Sequence, residues 1–228
     1  MKRIENIDQG VVQYKFDVFV AGEVVPCILW TPTPPTASQA LIAMGHGGSQ
    51  HKQCESIRTR AIRYATTFAW ATLAIDAPQH GERISPEEAA IARSKTLARV
   101  SGDPNALALS VAEKIKYLDE MAAQAVPEWQ VALDTVFYRD ILPRNIPLAY
   151  WGVSQGSSIG IPLLAVDHRF TCAVFGLAHL HPDHTCLRLA AEQITVPLRF
   201  AFQWDDPIRE RDYGLALFEA FGSKEKSM

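Results

Sequence analysis

The 228-residue chain reads as an α/β protein: a mostly parallel central sheet with helices on both faces, an N-terminal β-hairpin and a helical insertion after the third strand region. Two observations predict this. Apolar strand-like runs alternate with segments of helical periodicity, the pattern of βα units. The runs "LIAM", "ATLAI", "LAYW", "CAVFGLA" and "LRFAF" are nearly continuous rather than alternating, so both faces of each strand are expected to be buried. A hydrophobic share of 48% against 21% charged residues fits one soluble globular domain over residues 1–228.

The elements follow in order. "VVQYKFDVFV" and "EVVPCILWTP", joined through Gly22, read as a hairpin. "TPTPPTASQ" is a loop, and "ALIAMGHGG" a buried strand running into glycines. In "CESIRTRAIRYATTFA" the residues Ile57, Ala61, Tyr64, Ala65 and Phe68 recur at helical spacing. "WATLAIDAP" is a strand closed by Pro78. Residues 85–127 read as mostly helical, broken at "SGDPN". Ser85-Pro-Glu-Glu supplies an N-cap, a proline at the first position and acids near the positive end of the helix dipole. "PEWQVALDTVFYRDIL" reads as a further helix. Then come strand "IPLAYWGVS", helix "QGSSIGIPLLAV", strands "FTCAVFGLA" and "VPLRFAFQW", and helix "YGLALFEAFG".

Composition narrows the function classes. The net charge of −3, with no basic block, gives no nucleic-acid footprint. No apolar run approaches the length of about 18 residues that a membrane helix needs. The polar start "MKRIENIDQG" lacks the apolar centre of a signal peptide. Cys27, Cys54, Cys172 and Cys186 form no CxxC pair, so no zinc or redox motif is expected, and reduced thiols in the cytoplasm are the plain reading.

In a parallel sheet, reactive groups belong at the C-terminal ends of strands. "GVSQG" stands at such a place, after a strand and before a helix. A sharp strand-to-helix turn there would strain Ser154 and lift its hydroxyl above the sheet, with the Gln155 N–H facing an oxyanion. A serine in an ordinary turn is the alternative. "MGHGGS" follows another strand, and Gly48 can offer a second oxyanion donor. A phosphate loop is disfavoured because no GK[ST] follows. His46 is expected to order this loop rather than act as a base.

The series "GHGG", "DAPQHGER", "GVSQG" and an Asp pair after the next-but-one strand resembles the α/β-hydrolase fold family, nearest its dienelactone-hydrolase-like and related esterase branch. The resemblance runs from about Ala40 to Gly222. It implies a serine hydrolase cleaving a small carboxylic ester through an acyl-enzyme, with Ser154 as nucleophile, Gly48 and Gln155 as oxyanion hole, and no cofactor or metal. It implies structural roles for Asp76 and His80. It places the acid after "VPLRFAFQW", where the spacing from Pro197 favours Asp206 over Asp205. The carboxylate would hold the imidazole tautomer.

The family's base follows its acid, yet none of the seven histidines follows Asp206. The resemblance implies a further strand, a His-bearing loop and a last helix that the 228 residues do not hold. The alternative is a substitute base or pocket residue from "HLHPDH": His179, His181 or His184, whose spacing would also suit a metal. Residues 85–127 are expected to cap the site. Rival readings are a peptidase or amidase on the same scaffold, a non-catalytic ligand-binding member, and an assembly module. A sheet ending at "LRFAFQW" would expose that strand to pairing in a homodimer.

Overall fold

The computed structural model describes residues 2–8, 10–103, 109–206 and 210–228, and for 2–8 the backbone alone. Nine strands form one sheet: β1 (Lys2–Asp8), β2 (Val11–Val20), β3 (Glu23–Pro32), β4 (Ala40–Gly45), β5 (Trp70–Ile75), β6 (Leu148–Val153), β7 (Phe170–Gly176), β8 (Leu198–Ala201) and β9 (Lys226–Ser227). Six helices accompany them: α1 (Glu55–Phe68), α2 (Pro86–Val100), α3 (Val111–Tyr138), α4 (Gln155–Val166), α5 (Thr185–Gln193) and α6 (Arg211–Ala220).

The sheet order is β1-β2-β3-β5-β4-β6-β7-β8-β9. The first four strands in that order pair antiparallel and the rest pair parallel. The chain leaves β4 for β5 on one side and returns to β6 on the other, so the order reverses beside β4. Ligand crevices of open α/β sheets form at such switch points, outside the carboxyl ends of the strands. The register Gly45↔Gly152, Val153↔Gly176 and Gly176↔Ala201 brings the ends of β4, β6, β7 and β8 to one edge.

Helices cover the two faces unequally. Ile57, Ala61 and Ala65 of α1 pack with Ile28, Trp30, Ile42 and Met44 on one face. The larger core cluster on the other face draws on α3, α4, α5 and α6 together with Leu29, Leu41, Leu73, Tyr150 and Phe175. Helix α4 is buried nearly all round, consistent with its uniformly apolar composition. The expectation that every strand is buried on both faces fails at one end of the sheet. In β8, Leu198 and Phe200 are buried while Arg199 and Ala201 are exposed, and Thr171 and Cys172 of β7 are exposed too. The α1 cluster draws on β2 (through Val11), β3, β4, β5 and β6 and stops short of β7 and β8.

Four further differences from the sequence reading have physical causes. First, residues 85–127 have no boundary at Pro127. Helix α3 runs through it, because Met121, Ala122 and Ala125 before the proline and Trp129, Ala132, Leu133 and Val136 after it share one buried stripe. Burial on both sides outweighs the lost helix hydrogen bond, which costs about 3 kcal/mol in an exposed helix. Second, β1 is a strand although its sequence is polar; it pairs with β2 through backbone groups. Third, the His-rich loop is followed by α5, an element the strand-like runs on either side concealed. Fourth, the edge next to β8 is covered at Leu198 and Arg199, which pair with Lys226 and Ser227 of β9.

Helix α2 begins as expected: Ser85 Oγ accepts from Glu88 N at 3.2 Å, and Glu88 Oε2 accepts from Ser85 N at 2.8 Å. It buries none of its side chains fully and so lies on the surface of the fold. The "SGDPN" break falls between α2 and α3, and residues 104–108 lie outside the described residues.

Candidate active site

Ser154 joins β6 to α4 with φ 55° and ψ −119°. That conformation costs a non-glycine residue about 1–3 kcal/mol and persists only where surrounding structure over-determines it. Here it is over-determined. Ser154 N donates to Gly176 O at 2.8 Å, and Ser154 O accepts from Ser157 N and Ser158 N at 2.9 and 3.1 Å. The buried Ser157 hydroxyl lies 2.8 Å from the carbonyls of both Gly152 and Gly176, and accepts from Gly176 N at 3.0 Å. Helix α4 approaches β4 and β6 closely. A Cβ at Gly156 would strike the Gly45 carbonyl, and one at Gly160 would strike the Tyr150 ring. Tyr150 Oη donates to Gly156 O at 2.7 Å, and burial pushes its phenol pKa up. The side chain of Ser154 is half-buried.

The loop after β4 lies beside this turn. A Cβ on Gly48 would sit 3.1 Å from Gln155 Oε1, so the two expected oxyanion residues are neighbours. His46 fixes the loop. Its Nε2 accepts from Ala77 N at 3.0 Å, which leaves Nδ1–H to donate to Gly47 O at 2.8 Å. Burial lowers its pKa to about 4, so the ring is neutral near pH 7. These bonds suit a loop-ordering residue.

Asp76 and His80 likewise build the neighbouring loop. Asp76 is fully buried. It accepts from Lys52 N at 2.8 Å, from Lys52 Nζ at 2.6 Å and from Glu82 N at 2.9 Å. Gly81, at φ +59°, is needed because a Cβ there would strike the Asp76 carboxylate. His80 Nδ1–H donates to Pro78 O at 2.7 Å. Arg83 makes a two-bond fork to Glu128 of α3 at 2.7 and 2.9 Å, tying this loop to the long helix. The sequence reading missed Glu128. Its signal was an acid at a core-facing position of the α3 stripe, since a carboxylate is buried there only with a partner.

Asp205 and Asp206 follow β8 and differ in setting. Asp205 is 89% exposed and pairs with Arg211 at 3.2 Å, while Asp206 is half-buried. The three histidines after β7 are held differently. His184 is buried, its Nε2 2.8 Å from Asp119 Oδ1 of α3. His181 packs edge-on against Tyr213, 5.1 Å between ring centres. His179 Nε2 accepts from Lys114 Nζ of α3 at 3.3 Å. The first half of α3 thus clasps this loop. Among the described residues no group of three or more His, Cys, Asp or Glu is placed to hold a metal ion. No described helix is long and apolar enough to cross a membrane.

The sheet order, the strained serine and the loops gathered at one edge define an α/β-hydrolase fold. No protein-family model and no curated protein matches the chain. Solved structures do. A cold-adapted esterase from an Arctic intertidal metagenomic library, in a PEG-bound complex, is 28% identical with a TM-score of 0.78. That match covers 99% of this chain and 86% of the other. Dienelactone hydrolase from Anabaena variabilis is 15% identical with a TM-score of 0.63, covering 96% and 85%. Pyrococcus horikoshii acylaminoacyl peptidase is 9% identical with a TM-score of 0.65, covering 96% of this chain and 36% of the other. The last two share the fold alone. Within that fold the similar structure at 28% identity is an esterase, and dienelactone hydrolases share the architecture.

Proposed function

We propose that the chain is a serine hydrolase that cleaves small carboxylic esters through an acyl-enzyme on Ser154. The observation that carries this reading is the backbone of Ser154, a non-glycine residue held at positive φ by a dedicated hydrogen-bond set. Other non-glycine residues also have positive φ, Ala69 among them in the left-handed helical well, but the ψ of −119° takes Ser154 outside that well, into a region where glycine is usual. Ser154 Oγ attacks the ester carbonyl, and the N–H groups of Gly48 and Gln155 receive the developing negative charge. Each such donor is worth roughly 3–4 kcal/mol in the transition state. Asp206 is the acid of this reading, since Asp205 points to solvent and to Arg211.

The base is assigned by experiment rather than by position. His46 and His80 have their Nδ1–H groups committed to backbone carbonyls, and His168 lies past α4 at the opposite edge of the sheet. His184 and His181 are turned to Asp119 and Tyr213. His179, three residues beyond the Gly176 carbonyl that binds Ser154 N, is the candidate to test first. Hydrolysis of p-nitrophenyl acetate by wild-type, Ser154→Ala and His179→Ala proteins decides. Loss of turnover in Ser154→Ala with unchanged thermal stability supports the nucleophile; retention of more than a few per cent refutes it. Wild-type turnover held at only about 10³–10⁴ over water would match an enzyme lacking one triad member, and would deny all three loop histidines the role. Aminoacyl anilides in the same assay separate an amidase from an esterase.

A further inference from the structure

A half-open cavity of about 240 Å³ lies between the loop after β4, the loop after β5 and α2. Ser49, the neighbour of Gly48, lines it, but Ser154 and Gln155 do not. It therefore sits behind the proposed oxyanion loop, away from the nucleophile. Its volume corresponds to about eight waters at roughly 30 Å³ each, room for a molecule of three to six carbons.

The wall of the cavity specifies the chemistry of an occupant. His80 is only 6% exposed and lines the cavity. Its Nδ1–H is used by Pro78 O, so Nε2 carries a lone pair, and no described residue donates to it. Burial lowers the pKa of the ring, which keeps that lone pair available near pH 7. Nε2 keeps some solvent contact and opens on the cavity as an acceptor that a ligand hydroxyl can satisfy in place of water. The charges on the wall balance. Lys52 is held between Asp76 at 2.6 Å and Glu82 at 2.9 Å, a trio with one net negative charge. Arg93 of α2, which has no ion-pair partner among the described residues, supplies one positive charge. Ile84, Ala89 and Ala92 give an apolar strip, and Gln50 and Gln79 give amides. A wall of zero net charge, with an unpaired acceptor, several donors and a small apolar strip, matches a molecule carrying several hydroxyl groups and no charge.

We propose that this cavity is a binding site for a small neutral polyol or monosaccharide, with a ligand hydroxyl donating to His80 Nε2. A ligand here touches the residue next to Gly48 and the His80 ring, which packs tilted against His46 with 5.2 Å between ring centres. It would therefore buttress the loop after β4 from behind. The inference stands on the cavity alone and does not require the esterase reading.

The test is a titration with glycerol, erythritol and glucose, followed by the ¹⁵N shift of His80 Nε2 in long-range ¹H–¹⁵N spectra of the full chain. At least one of these ligands is expected to move that signal saturably. Ala92→Phe, a substitution on the half-buried face of α2 that fills the cavity, should weaken the effect at least tenfold. Arg93→Gln should change it less than threefold, because the ligand is uncharged. No saturable shift with any polyol overturns the proposal, as does a shift that survives Ala92→Phe. A shift produced instead by propionate and abolished in Arg93→Gln overturns it in favour of an anion site.

Discussion

His46 is the group through which acid should loosen the loop after β4. In the folded chain its pKa is lowered from 6.5 to about 4, chiefly by burial, with the backbone bond to Gly47 and Asp76 opposing and His80 and His51 assisting. The sign follows from proton linkage. Between those two pH values the unfolded chain binds the proton and the folded chain does not, so stability rises with pH across the window. The contribution is fully present above 6.5 and is lost as pH falls to about 4. A shift of this size corresponds to about 3 kcal/mol, and the lowered pKa of His80 adds a loss of the same sign. The assay is urea unfolding, followed by tryptophan fluorescence, at several pH values through the window. His46→Gln is the comparison, because an amide keeps one donor and one acceptor and cannot titrate. The variant is expected to be less stable near neutrality yet to lose about 3 kcal/mol less on acidification. Equal acid losses in both proteins would refute the buried neutral imidazole and the loop-ordering role assigned to it.

Three other outcomes follow from the same structure. Glu128→Gln leaves Arg83 buried without its full partner and should cost about 3–5 kcal/mol in denaturant unfolding, whereas replacing both by Met and Leu should be nearly neutral. Gly160→Ala pushes a methyl into the Tyr150 ring and should destabilise by about 1–3 kcal/mol, measurable as a lowered Tm. Asp206→Asn should lower ester turnover by about 10⁴ while Asp205→Asn, exposed and paired with Arg211, changes it little; the reverse ranking would move the acid to Asp205.

The legible parts of this fold were those with strong local signals. Strands β4, β5 and β6 showed as apolar runs because they are covered on both faces. The turn at Ser154 showed because the close approach of α4 demands Gly156 and Gly160 at fixed spacing. What stayed hidden depends on tertiary context. Nothing local marks Lys2–Asp8 as a strand, since its pairing with β2 uses backbone groups. Pro127 reads as a helix break until Trp129 and Ala125 are seen packed in one core. Arg199 and Cys172 reveal that one end of the sheet has an open face, which a run of apolar letters does not. The candidate site divided the same way. The hubs at Asp76 and His46 were expected to be structural from their motifs, but the Arg83–Glu128 fork joins positions 45 residues apart and has no local signature.

The most direct test of the central claim is covalent labelling with a fluorophosphonate, read by peptide mass mapping in the folded 228-residue chain and in Ser154→Ala. The account predicts one adduct, on the peptide at Ser154, with Ser157 and Ser158 unmodified and no label in the variant. A folded chain that takes up no probe, or carries it on another serine, would contradict the assignment of Ser154 as nucleophile.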